Sequence, residues 1–380
     1  MKQGVRVAAL GPLLGIVLWA AAMAPAPERP EGRAFPAAER LFHGDPRWLG
    51  GDCAATVALS RGRILWLFGD SFVAREGASG RAGARMVRNT VGLQTGPDPC
   101  TASMALCWGR ERDGSPTSFF PDLGGRWYWP GCGLRLAGGP LLLFLFEMEA
   151  TPGRGLGFAC AGSALAVVAN PDAPPEAWRP RVVPLPPVPF DARPAAAALR
   201  EGDWVVALAI RQEGRHAGAL VRYPAAALAK GDPSGAQWWD GAARGWVPAD
   251  ALGPRGPAFV LDDAGSECSL HWDPQGRCYL HVASYGFGAS AIGLRRAPAL
   301  TGPWSRPVTI YRPPESSGPH PFVYAAKGHP ELAAPQGGLL VTYVASSLTF
   351  PDLLTPGGSR SLYWPRFVLR MRKDWGQVLK

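Results

Sequence analysis

The chain has 380 residues, of which 47% are hydrophobic, and it carries a formal net charge of +9. Its 48 glycines and 40 prolines are spread along the whole length, which indicates a turn-rich fold rather than a disordered tail. No run of five like charges and no basic helix is visible, which favours composition as the origin of the positive charge, and we expect no nucleic-acid partner.

The N-terminus has the order of a secretory signal. Lys2 and Arg6 precede an apolar stretch from Val7 to Met23, and Ala22-Met23-Ala24 supplies a small-x-small site. The apolar stretch is also about long enough to remain as an uncleaved membrane anchor. We therefore expect a signal peptide or anchor over residues 1–24, a flexible linker over 25–40, and a secreted or periplasmic protein whose only membrane attachment is this segment.

Residues 41–372 contain short apolar runs of strand length, separated by turn residues, and almost no amphipathic helix. The candidate helices are the Ala-rich segments Ala195–Leu199 and Ala225–Lys230. The runs group into five modules, which predicts an all-β fold, a five-bladed β-propeller, with a β-sandwich as the alternative. The predicted first strands of the modules are Asp52–Leu59, Gly133–Leu136, Ala196–Arg200, Cys268–Trp272 and Glu331–Ala333.

Seven cysteines leave at least one thiol unpaired. Export permits disulfides, and Cys100 with Cys107 is the expected pair because both lie in a loop-like stretch. Cys268 and Cys278 flank a turn that, with two residues, would set Cys278 opposite His271, so these two should not bond. No zinc spacing occurs. We expect no metal and no cofactor, apart from a structural calcium that a propeller channel can hold.

The clearest local pattern is a predicted β-hairpin with an aspartate near each end. Gly51-Asp52-Cys53 precedes its turn, Ser60-Arg61-Gly62, and Gly69-Asp70-Ser71 follows it. Three-residue hairpin loops favour glycine at the left-handed last position. With that turn, Leu59 pairs with Arg63 and Asp52 falls directly opposite Asp70, with Cβ atoms about 4.5–5.5 Å apart.

Two opposed carboxylates destabilise a sheet unless something else requires them. Retaining glycosidases require such a pair, with carboxyl groups about 5–5.5 Å apart. In the alternative, one aspartate caps a turn while the other holds a metal or a backbone amide. A one-residue change of turn type would also move the two to opposite faces.

Glu267 begins the predicted first strand of module four, and His329 and Glu331 begin that of module five, beside Lys327. Asn89 lies on the third strand of module one, and Trp129 precedes module two. A propeller's channel would hold a ligand near strand starts. The candidates for substrate binding are Asn89, Trp129, Glu267, Lys327, His329 and Glu331.

At these residues the chain resembles a bacterial domain family first catalogued as of unknown function and since grouped with endo-D-arabinanases, which act on the D-arabinan of mycobacterial envelopes. The resemblance covers about residues 45 to 372. It is carried by Gly51-Asp52, Leu65-Trp66-Leu67-Phe68-Gly69-Asp70-Ser71-Phe72, Val87-Arg88-Asn89-Thr90, Ala297-Pro298-Ala299-Leu300-Thr301-Gly302-Pro303-Trp304, His329-Pro330-Glu331-Leu332 and Pro365-Arg366-Phe367.

The resemblance implies a five-bladed propeller and a retaining glycoside hydrolase that uses Asp52 and Asp70, without deciding which is the nucleophile. We expect a monomeric secreted hydrolase of furanosidic, arabinan-like cell-envelope polysaccharide. Two other hypotheses stay open: a non-catalytic glycan-binding propeller, and a structural envelope protein held by an uncleaved anchor.

Overall fold

The computed structural model of the protein describes residues 32–77, 80–153 and 155–372. The predicted signal or anchor, residues 1–24, lies outside these ranges, as does the first part of the predicted linker. The described chain is mostly β-strand, which confirms the all-β prediction. Within it, no helix is both long and apolar enough to traverse a lipid bilayer.

Five antiparallel sheets of at least four strands follow one another along the chain, and we number them one to five. Their strands, from the first strand outward, are Ala55–Ala58, Arg63–Phe68, Thr90–Thr95 and Ser103–Cys107 (sheet one); Arg126–Arg135, Leu141–Ala150, Phe158–Val168 and Arg181–Pro184 (sheet two); Arg193–Glu201, Trp204–Ile210, Gly218–Pro224, Gln237–Trp239 and Trp246–Val247, with Phe259–Leu261 also on the third strand (sheet three); Cys268–Asp273, Cys278–Tyr285, Ala291–Ala297 and Val308–Tyr311 (sheet four); and Pro321–His329, Leu339–Ser347, Pro365–Arg370 and Gly32–Ala34 (sheet five).

Smaller elements complete the described chain. A three-stranded sheet joins Trp48–Gly51, Ser71–Ala74 and Ala84–Val87, and Gly109–Arg110 pairs with Pro116–Thr117. The α-helices are Ala225–Leu228 and Pro356–Ser361. The 3₁₀ segments are Pro36–His43, Arg81–Gly83, Pro175–Ala177, Ala249–Ala251, Gly253–Arg255, Pro314–Ser317, Pro335–Gly337 and Phe350–Leu354.

The first strands of the five sheets contact one another in cyclic order, and the first strand of sheet five returns to that of sheet one. The first strands of sheets one, two, four and five run in the same direction. Tyr324 and His329 contact Asp52 and Thr56 in that order along their two strands. We call the end at which the first strands begin the upper end. Asp52 and Glu267 lie at this end, each just before a first strand.

The core lies between neighbouring sheets, and the second strand of sheet two shows why its sequence is continuously apolar. Leu142, Phe144 and Phe146 pack with residues of sheet three, whereas Leu141, Leu143 and Leu145 pack with residues of sheet one. Successive side chains of a strand point to opposite faces, so a strand covered on both sides needs apolar residues throughout. Burying each such side chain stabilises the fold by about 1.5–3 kcal/mol.

The N-terminal segment is part of sheet five rather than a linker. Gly32–Ala34 pairs with the strand Pro365–Arg370, and Pro36–His43 buries Leu41 and Phe42. The linker prediction is therefore wrong from residue 32 onward. The first strand of sheet five was also misplaced, because the structure has it at Pro321–His329 and puts Glu331 in the turn that follows.

Three further local predictions are corrected. Ala195–Leu199, predicted as a helix, lies within the strand Arg193–Glu201, because both faces of this Ala-rich segment are packed. The other predicted helix, Ala225–Lys230, ends earlier, at Leu228. Cys100 and Cys107 are free thiols, like the other five cysteines. The turn after Asp273 has four residues instead of two, so Cys278 pairs with Asp273 and not with His271.

Candidate active site

Asp52 and Asp70 lie opposite each other at the upper end of sheet one. The turn Ser60-Arg61-Gly62 sets the predicted register, since Leu59 N–H donates to the Arg63 carbonyl (2.8 Å) and Ala55 pairs with Leu67. The same register continues to Gly51 and Ser71. Between these pairs, Asp52 N–H donates to the Asp70 carbonyl (3.3 Å). The predicted opposition of the two aspartates is confirmed.

Gly69 gives the Asp52 side chain its space. A Cβ at Gly69 would collide with Oδ1 of Asp52, so any larger residue would displace the carboxyl. The chain turns sharply just after Asp52, where Cys53 and Ala54 have φ of 67° and 52°. Non-glycine residues with positive φ are strained and concentrate at functional sites.

Two tyrosines hold the carboxyl of Asp52. The hydroxyls of Tyr324 (2.8 Å) and Tyr363 (2.9 Å) both donate to Oδ2. Burial raises the pKa of Asp52 well above its ordinary value, and the charges of Glu267 and Asp70 raise it further, against the two tyrosine hydrogen bonds. The proton of the neutral carboxyl then belongs on Oδ1, because both donors occupy Oδ2.

Asp70 has a different environment. Its Oδ1 accepts from Trp129 Nε1 (2.9 Å), and Nη1 of Arg88 lies 3.6 Å from Oδ2. The pKa of Asp70 is raised to about 6. Burial is the largest cause of this rise and Asp122 adds to it, while Arg88 and Trp129 oppose it. The two carboxyls therefore differ: the surroundings of Asp52 favour its protonated form more strongly than those of Asp70 do. Divergent pKa values in a carboxyl pair are typical of an acid and its partner base or nucleophile.

Glu267 and Lys327 form a buried ion pair beside Asp52. Lys327 Nζ lies 3.2 Å from Oε1 of Glu267 and donates to the Cys53 carbonyl (2.9 Å). Burial disfavours the charge of Lys327, but Cys53 and Glu267 favour it, and the pKa of the ammonium is raised. Lys327 is 2% exposed, so it contacts the site from the interior of the protein.

The remaining candidates are placed away from the carboxylates or are fully engaged. The amide of Asn89 bonds to backbone atoms of Phe120 and Tyr128 and is buried. His329 lies between the hydroxyls of Thr56 (2.6 Å) and Thr342 (2.7 Å), and burial lowers its pKa to about 3.

Glu331 also contacts Thr56, and burial raises the pKa of Glu331. The structure thus brings Asp52, Asp70, Trp129, Glu267 and Lys327 together, whereas the hydrogen bonds described for Asn89, His329 and Glu331 are to other residues. Among the residues that the structure describes, no three His, Cys, Asp or Glu side chains are arranged to hold a metal ion.

Sequence reasoning missed Tyr324, Tyr363 and Arg88. Tyr324 lies on the misplaced first strand of sheet five, and Tyr363 on the segment before Pro365. Arg88 stood within one of the quoted motifs, directly before Asn89. Val87 ends a strand, and successive side chains of a strand point to opposite faces. An apolar Val87 followed by a charged Arg88 was therefore the signal that the Arg88 side chain faces Asp70.

The pH at which kcat/KM falls on the acid side of the pH profile (the acid limb) should change when Arg88 is replaced. Catalysis through ionised Asp70 predicts that kcat/KM falls as the pH drops through about 6. Arg88→Ala removes a charge that lowers this pKa, so the limb should move to higher pH by roughly half a unit to one unit, discounted for the exposure of Arg88. Arg88→Lys keeps the charge and serves as the control. A limb that stays in place or moves to lower pH would contradict this assignment.

Comparisons with known proteins find two matching domain families and a solved structure of similar fold, and they leave the activity open. Residues 38–180 match a family described as domain of unknown function DUF5005, and residues 175–349 match domain of unknown function DUF4185. No curated protein matches the chain. The structure is similar to that of "a putative hydrolase from Bacteroides ovatus ATCC 8483", with 17% identity, a TM-score of 0.70, and 91% of this chain and 92% of that chain covered.

Two glycosidase structures align less well. A xylan β-1,4-xylosidase from Bacillus halodurans C-125 aligns at 11% identity and a TM-score of 0.44, covering 87% of this chain and 56% of that one. The α-L-arabinofuranosidase catalytic domain of Coprinopsis cinerea aligns at 11% identity and 0.46, covering 86% and 92%. Both alignments are too weak to show a shared fold. The chain shares the fold of the Bacteroides protein.

Proposed function

We propose that this protein is a glycoside hydrolase, built as a five-bladed propeller with sheets one to five as the blades. The observation that carries the proposal is the pair Asp52 and Asp70, opposed in register but in different surroundings, with two tyrosine hydroxyls on Asp52 and Trp129 and Arg88 beside Asp70. A structural pair of aspartates would gain nothing from that difference, whereas an acid and a nucleophile need it. The cyclic contacts of the first strands support the five-bladed arrangement.

The charge states assign the roles. Ionised Asp70 attacks the anomeric carbon as the glycosidic C–O bond breaks, and Asp52 gives the Oδ1 proton to the leaving oxygen. Water then displaces Asp70 from the glycosyl ester, and Asp52 takes the water's proton back. The reaction is balanced by water alone, retains the anomeric configuration and needs no cofactor.

Tyr324 and Tyr363 orient the acid throughout this cycle. Burial and the neighbouring Asp52 raise the pKa of both tyrosines well above the ordinary value, so both remain donors to Oδ2. With Oδ2 engaged by two donors, only Oδ1 is available to exchange a proton with the glycan or with water.

The substrate that we propose is a furanosidic, arabinan-like cell-envelope polysaccharide, cleaved in the manner of an endo-D-arabinanase. Support for this class comes from the resemblance of the two aspartate motifs. The N-terminal charged and apolar segment supports export, and we propose a secreted or periplasmic monomer that attaches to a membrane, if at all, only through that segment.

The test is hydrolysis of a panel of D-arabinan, L-arabinan, xylan and galactan, with the anomeric configuration of the first product read by NMR. We expect cleavage of a furanosidic arabinan with retention. Inversion would make Asp70 a general base and overturn the nucleophile assignment. Cleavage of xylan or galactan alone would overturn the substrate class, and tight binding of a glycan with no hydrolysis would favour the non-catalytic alternative.

A further inference from the structure

The exposed apolar side chains of this protein are concentrated at one end. Among the described residues, the large apolar side chains that are most exposed are Leu123, Leu156, Trp272, Phe287, Leu348 and Phe350. All except Trp272 lie in the segments that connect strands at the upper end, where the carboxylates are. Single exposed apolar residues are ordinary, but a one-sided group of them marks an interaction face.

A continuous aromatic path leads from the carboxylates to this face. The hydroxyl of Tyr324 contacts Asp52, and the ring of Tyr324 stacks on Phe322 with centroids 4.6 Å apart and planes at 23°. The next ring is Phe287, 5.7 Å from Phe322 and 72% exposed. A ligand at Asp52 can therefore extend over Phe322 onto Phe287 without leaving aromatic surface.

The loop that carries Phe287 is held in place. Phe287 stands between Gly286 and Gly288, which have φ of 105° and 73°. The Gly288 carbonyl accepts from Val323 N–H (2.8 Å), and the Gly286 carbonyl accepts from Ser290 Oγ (3.1 Å). An exposed ring on a tethered loop is preorganised, so a ligand that stacks on it loses little of its binding free energy to ordering the loop.

This path lies on the opposite side of the carboxylates from Trp129. The first strand of sheet one contacts that of sheet two, which carries Trp129, on one side and that of sheet five, which carries Phe322 and Tyr324, on the other. Trp129 contacts Asp70 and packs edge-on against Phe158 (4.8 Å). Aromatic surface thus flanks the carboxylates on both sides, which suits a chain passing across them.

We propose that Phe287 and Phe322 form a sugar-binding subsite for a residue of the same polysaccharide chain, at a distance from the bond that is cleaved. This rests on the proposed function. The occupant follows from continuity with Asp52 and from chemistry: an uncharged sugar presents C–H groups that pack on an aromatic face, and its hydroxyls remain in water at an exposed rim.

The experiment compares Phe287→Ala with the unaltered protein on arabinan oligosaccharides of increasing length. We expect KM for long chains to rise about tenfold with kcat unchanged, and KM for the shortest substrate that is cleaved to stay the same, because only a long chain reaches the subsite. Phe287→Trp should keep the long-chain KM. Trp272→Ala, at the lower end and 43% exposed, is the matched control and should change neither value.

The outcomes separate this subsite from the proposed function. A protein that cleaves arabinan but shows the same long-chain KM after Phe287→Ala, or the same increase at every length, overturns the subsite alone. Failure of the unaltered protein to cleave arabinan of any length overturns the proposed substrate class and, with it, a subsite for that chain. Concentration-dependent dimerisation that Phe287→Ala abolishes, measured by sedimentation, would show that the face binds a second copy and would overturn the sugar assignment.

Discussion

Asp70→Asn and Asp52→Asn should each lower kcat/KM on a furanosidic arabinan by about 10³-fold or more, since each removes a group that forms or breaks a bond to the reacting atoms. In the first variant the neutral amide has no charge with which to attack the anomeric carbon. In the second, the amide keeps an oxygen for Tyr324 and Tyr363 but has no acidic proton for the leaving oxygen. Initial rates, with thermal melting to verify folding, measure the effect.

Asp172→Asn is the matched control for these variants. Asp172 is an exposed carboxylate paired with Arg63 and Arg135, beside the turn at the lower end of sheet one. Its change should leave turnover within about twofold, because surface charges distant from a site contribute little to its barrier. Turnover within about tenfold of the unaltered protein in either catalytic variant would exclude the proposed pair.

Lys327→Met should destabilise the protein by about 2 kcal/mol, because it leaves the partly exposed charge of Glu267 without its partner, which costs less than leaving a fully buried charge unpaired. Lys327 is the buried partner, whereas Glu267 retains a side-chain exposure of 24%. The Cys53 carbonyl also loses its donor. Urea denaturation of both proteins measures the difference in the free energy of unfolding.

Two further variants identify the cause of that loss. Lys327→Met with Glu267→Gln should recover part of the stability, since the second change removes the uncompensated charge. Lys230→Met, at an exposed lysine, should stay within about 0.5 kcal/mol of the unaltered protein. A double variant no more stable than Lys327→Met alone would attribute the loss to packing rather than to charge.

The hairpin of sheet one could be predicted because its determinants are local. The turn Ser60-Arg61-Gly62 carries its glycine where a left-handed residue is needed, and the strands on either side are of high β propensity. Register follows from turn length. Sheet five was harder. Its first strand, Pro321–His329, begins with proline and contains Ala325, Ala326 and Gly328, which weaken strand propensity, so only packing against its neighbours makes it a strand.

The fourth strand of sheet five shows the same limit at greater sequence distance. Gly32–Ala34 pairs with Pro365–Arg370 from the other end of the chain. Three residues after a proline-rich stretch have no periodic pattern that could distinguish a strand from a linker. The pairing is decided by an available edge of sheet five, which exists only after the rest of the chain has folded.

By itself the sequence determined that this protein is all-β and that Asp52 opposes Asp70, since both follow from short-range patterns of turns and strands. Only the tertiary structure decided what distinguishes the two carboxyls. Asp52 is surrounded by Tyr324, Tyr363 and Glu267, and Asp70 by Arg88 and Trp129. Charge states depend on burial and on distances through space, and most of these neighbours come from strands far apart in the chain, so no spacing within the sequence could predict them.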